Sequence, residues 1–212
     1  MASLLDGLMQ QLSGDTVSQL SQHIGADESS TSSAISMALP VIVSALANNA
    51  SSDEGAGALF GALQRDHDGG LLDNLGALGS LLGGDTSAAS GVSPKALDGA
   101  SILGHILGGR QDTVQSGIGQ ATGLSGAQIA RLLAALAPIV MAYLGRQTQQ
   151  QNLDPGGLGS MLSNEKSSIE SSHEGMGGLL SSFLDQNHDG SVADDVLKMA
   201  PGILGSLFGS KS

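Results

Sequence analysis

The chain has 212 residues, with 20 Asp and Glu against 8 Lys and Arg, a net charge of −12 and no cysteine. That balance gives no basic surface to displace counterions from nucleic acid and disfavours an anionic membrane; it also excludes disulfides and thiolate metal sites. Aromatics make up 2% of the residues and glycines number 32, so a core of Leu, Ile, Ala and Met suits closely approaching helices better than a β-sandwich.

In chain order, the first twelve residues lack a basic stretch followed by an apolar one, so no secretory signal is expected and a cytoplasmic location is the expectation. A short helix follows and ends at Gly25, a C-cap glycine. Asp27 is placed to N-cap a longer helix whose apolar residues Ile35, Leu39, Ile42, Val43 and Leu46 fall on helical spacing. Pro40 lies inside it, removes one backbone donor, and is expected to kink the helix or divide it in two. After the loop at 64–74, the Gly/Ser/Ala-rich residues 83–96 read as a flexible linker. Beyond it, Gly123 closes a second short helix. Ser125 N-caps a second long one carrying Ile129, Leu132, Leu133, Leu136, Val140, Tyr143 and Leu144, with Pro138 inside. The apolar stretches at 38–47 and 132–144 are shorter than a membrane span and read as buried helices.

These elements repeat. Gly25 and Gly123 are 98 residues apart, and so are Pro40 and Pro138. Two Asp-Gly loops recur at a wider offset, Asp68 and Asp189 being 121 apart. The chain therefore reads as an all-α tandem duplication of a multi-helix unit, its helices short and punctuated by glycine. The first copy is 1–82, and the second is 97–212, with a polar Gln/Ser/Gly-rich insertion at about 147–173.

The loops carry the candidate chemistry. Oxygen ligands on alternate residues followed by a turning glycine suit a hard cation. In the second loop Asp185, Asn187 and Asp189 take positions 1, 3 and 5 of an EF-hand-like loop, Gly190 takes position 6, and Ser191 offers its carbonyl. Val196 stands where the bidentate Glu belongs, so Asp194 or Asp195 must close the site. Calcium is the expected ion, with a dissociation constant on the order of 10⁻⁴ to 10⁻³ M. The first loop supplies Asp66, Asp68 and Asp73 but begins with Gln64, one carboxylate fewer. His67 and His188 take position 4, which points away from an ion. The competing account is a tight turn whose Asp side chains bond the loop amides and cap the next helix.

Catalysis is not expected. No Ser lies in a Gly-x-Ser-x-Gly elbow, and His23 and His105 sit among apolar residues as structural histidines do. Gly-spaced apolar segments at 75–84, 102–109 and 203–209 suggest an alternative role, a self-associating scaffold whose Asp-Gly loops are only helix-capping turns.

Several blocks together carry a family resemblance. They are Gln22–Asp27, Ile35–Ala50 with its Ala-Leu-Pro core, Asp66-His-Asp-Gly69, Ile102–Gly108, Leu136–Met141 and Asn187–Asp195. In these the chain resembles the bacterial domain-of-unknown-function family 937 over nearly its whole length. The resemblance implies a helical, cytoplasmic bacterial protein without an established activity. Gln64 departs from the family's Asp-rich loop.

Overall fold

The computed structural model describes residues 3–67, 70–73 and 98–172, all within one compact unit, Met1–Ser172. The described residues are predominantly helical, as the composition predicts: α1 (Leu4–Gln11), α2 (Asp15–Ile24), α3 (Glu28–Asn49), α4 (Asp53–Asp66), α5 (Gly70–Asp73), α6 (Gly99–Leu107), α7 (Gln111–Thr122), α8 (Gly126–Gln150) and α9 (Pro155–Ser172). The expected linker at 83–96 and the loop at 185–195 lie outside the described residues.

The helix boundaries follow local chemistry. Ser3 and Asp6 form a reciprocal capping box on α1, and Ser125 and Gln128 form one on α8. Asp27 caps α3 by accepting from the Ser30 amide at 2.9 Å, and Ser52 caps α4 by accepting from Gly55 at 3.1 Å. Asp154 does the same at the head of α9, accepting from Gly157 at 2.7 Å. Gly25 and Gly123 end α2 and α7 with positive φ, 68° and 76°, where a side chain would be strained.

α3 and α8 are the core. They touch each other, both touch α2, α4, α6 and α7, and α3 also touches α9. Leu39, Ile42 and Val43 on α3 and Leu132, Leu133, Leu136 and Val140 on α8 are fully buried, each such side chain contributing about 1.5–3 kcal/mol. By length and composition both helices could cross a membrane, yet most of each is buried against other helices, the situation of a core helix. Elements from residues 3–73 and from 98–172 thus pack into one body.

Neither proline divides its helix: α3 runs 22 residues through Pro40 and α8 runs 25 through Pro138. The expectation of two short pieces gives way because burial on several sides holds each rod together despite one missing backbone bond. Pro138 leaves the Ala134 carbonyl without its i+4 donor. There the first residue of α6, Gly99, comes so close that a Cβ would overlap the Ala134 oxygen. The stretch at 147–173 holds more than a polar insertion. It contains the end of α8 and all of α9, whose Leu158, Leu162 and Ile169 are buried where α9 packs on α3 and α4.

Candidate functional site

The short helices α1 and α6 are held differently. α1 is clamped to α8 and α9. Glu165 of α9 accepts from the Leu4 and Leu5 amides at 3.2 and 3.1 Å and from the Ser3 hydroxyl, placing a carboxylate on the N-terminus of α1, where the helix dipole favours negative charge. Tyr143 of α8 lies against Gly7, where a Cβ would collide with its hydroxyl, and Gln147 donates to that hydroxyl at 3.1 Å.

α6, by contrast, is held by α3 and α8 and faces α4 across a cleft. Asn49, the last residue of α3, donates to the His105 and Ile106 carbonyls at 3.1 and 3.2 Å, satisfying the C-terminal turn of α6. Between α4 and α6 lies a cleft of about 670 Å³, within the 300–1,000 Å³ range of small-molecule sites. Leu46, Ile106 and Met141 line it as buried residues, with Leu59 and Ile102 half-buried on its two walls. The polar groups are Asn49 from the end of α3, Asp66 and His67 from the end of α4, and Asp98, Ser101 and His105 from α6 and its cap. His67 is 6% exposed and Asp66 half-buried. Asp98 accepts from the Ser101 amide at 3.1 Å as the α6 N-cap. Asp66 makes no side-chain hydrogen bond or ion pair with another described residue.

The residues singled out from the sequence fall in different places. Asp185, Asn187, Asp189, Ser191, Asp194 and Asp195 lie outside the described residues, as does Asp68. Of the first loop, Gln64 and Asp66 belong to the last turn of α4 and Asp73 to α5, so the span expected as a loop at 64–74 is largely helix. The physical reason is the burial of Leu71 and Leu72, with α5 seated on α8, which returns the chain to a helical turn soon after His67. Among the described residues no group of three or more His, Asp or Glu could hold a metal ion. His105 faces the cleft from an exposed position. His23 is elsewhere, in the last turn of α2, where burial first and the Arg131 charge second lower its pKa.

Two further hollows are smaller and more polar, about 410 Å³ beside Thr148 and Asn152 and about 450 Å³ beside Asn48 and Lys166. The α4–α6 cleft differs in its alkyl lining. Sequence reasoning did not find it. The signals were present in the apolar pair Ile102 and Ile106 at i, i+4 and in the Ala58, Leu59, Ala62 face of α4, but no pattern says that two such faces stand apart.

A family model described as "Bacterial protein of unknown function (DUF937)" matches residues 6–147. No curated protein and no solved structure matches the chain.

Proposed function

The chain belongs to the bacterial family of unknown function DUF937, and from that premise we propose that it is a non-enzymatic helical binding module whose ligand enters the α4–α6 cleft. The observation that carries this is the lining: alkyl side chains dominate, while Asp98 and Asn49 are already engaged in holding α6. The test is titration of the full chain with a neutral solvatochromic dye such as Nile red. Saturable fluorescence that is lost in Ala62→Trp and in Ala58→Trp, with unchanged helical circular dichroism, is expected. Dye binding that ignores both substitutions removes the cleft from the proposal.

We further read the body as a duplication. The supporting observations are the shared spacing of 98 residues between the caps Asp27 and Ser125, the C-cap glycines and the prolines. The reciprocal packing adds to this: α2 touches both α3 and α8, and so does α7. In this reading α9 is the counterpart of α4, since each follows a long helix after a short turn and each is capped by a side chain bonding the amide three residues on. α1 and α6 are then counterparts too.

Weak calcium binding at Asp185, Asn187, Asp189, Ser191 and Asp194 or Asp195 remains the proposal for the C-terminal loop, with Asp66, Asp68 and Asp73 as a weaker second set. Calorimetric titration with calcium, magnesium as control, tests it, and Asp189→Ala abolishes the calcium-dependent rise in Tm if the assignment is right. Against the self-associating alternative, Leu103, Ile106 and Leu107 of α6 are buried within the chain.

A further inference from the structure

We propose that the α4–α6 cleft selects an amphiphilic cation, an alkyl chain ending in an ammonium or amine, and this rests on the cleft being a ligand site at all. The walls combine alkyl surface with a few ionisable groups. Leu46, Ile106 and Met141 are 1%, 7% and 5% exposed and offer only alkyl and thioether surface, which rewards burial of methylenes and gives no hydrogen bond in return. The ionisable groups come from the end of α4 and the start and last turn of α6: Asp66, His67, Asp98 and His105. Among the described residues no Lys or Arg lines the cleft, so the fixed charge they bring to it is two carboxylates, on a chain whose net charge is −12.

Asp66 is the discriminating group. It is half-buried, faces the cleft, and has no hydrogen-bond or ion-pair partner among the described residues. A carboxylate partly withdrawn from water beside an alkyl surface attracts a cation strongly and repels an anion, because the local dielectric is lower than that of bulk water. Asp98 adds to the field while capping α6. An alkyl sulfate, or a fatty acid as its anion, would bring a third negative charge to the same cleft. A neutral alcohol would gain the tail contacts alone. The order of affinity for one chain length is therefore ammonium, then alcohol, then sulfate.

The experiment titrates the full chain with decyltrimethylammonium, decanol and decyl sulfate below their micelle concentrations at low salt, read by calorimetry and by backbone amide shifts. The expected result is tightest binding of the ammonium and a gain of about 4-fold per added methylene in an octyl-to-decyl series. Asp66→Asn is expected to weaken the ammonium about 5-fold and to leave decanol unchanged. Ala58→Trp, at an exposed wall position, abolishes binding of all three. Equal affinity for the three head groups overturns the cation inference while leaving the cleft as an apolar site. Binding that persists in Ala58→Trp, or no saturable binding of any ligand, overturns both.

Discussion

α1 and α6 are both short helices laid against the long central pair, yet one is sealed and the other borders a cleft. The difference lies in a few side chains. On the α1 side Glu165 reaches from α9 to the helix N-terminus, and Tyr143 covers the bare backbone at Gly7. On the α6 side the end of α4 offers Asp66 and His67, and no Phe, Tyr or Trp is among the described residues that line the cleft. Asn49 secures the carbonyl end of α6 and Gly99 allows its first turn to sit on the Ala134 carbonyl. α6 is thus fixed to α3 and α8 and leaves its α4-facing surface unfilled. A helix can be rigidly held and still present an open face, provided its anchors lie on the other side.

The comparison can be broken most forcefully in the two cores. Leu8→Ala in α1 and Leu103→Ala in α6, both 0% exposed, should each cost about 3 kcal/mol in urea unfolding. A much smaller loss for Leu103→Ala would mean that α6 is not firmly anchored. Gly99→Ala comes next, at about 2 kcal/mol, because the added methyl meets backbone at Ala134. Gly7→Ala should cost less, since the atom in its way is the far end of the Tyr143 side chain, which can swing. Equal costs would contradict that distinction. Glu165→Gln removes a charged acceptor from the N-terminus of α1 and should lower stability by about 1.5 kcal/mol. Ala62→Leu, filling part of the open cleft, should be neutral or stabilising by about 0.5 kcal/mol, whereas a loss above about 1 kcal/mol would show the cleft to be already packed.

The smallest contrast is between the two caps. Ser29 and the Ser30 amide bond the Asp27 carboxylate and hold its pKa well below the usual carboxylate range. A depressed folded pKa contributes stability above the unfolded value of about 4 and loses it as pH falls toward the folded one. The Tm difference between the wild type and Asp27→Asn should therefore be present at pH 6 and shrink below pH 4. The difference for Ser125→Ala, whose cap does not titrate, should not change with pH.

Much of this was legible before any coordinates. The composition dictated helices, because Ala, Leu and Met without rings pack as rods. The caps at Asp27 and Ser125 and the glycines at 25 and 123 could be read because capping needs only neighbours three or four residues away. Of the two outcomes expected at the prolines, division does not occur, since the cost of a missing backbone bond is local while the burial that outweighs it comes from other helices. Residues 147–173 hid a helix for a related reason: Leu158, Leu162 and Ile169 are sparse apolar marks in a polar stretch, and only α3 and α4 give them something to cover. Within the loop expected at 64–74, residues 64–66 and 70–73 are helical, with Leu71 and Leu72 buried and α5 seated on α8. The cleft was beyond sequence reasoning altogether. Its walls, 46–67 and 98–106 with Met141, are brought together by packing on α3 and α8. The sequence by itself determined the helix ends at Gly25, Asp27, Gly123 and Ser125, because capping signals act across a single turn. Whether two helices touch or stand apart was decided only by the tertiary structure, because it depends on which side chains from distant parts of the chain fill the space between them.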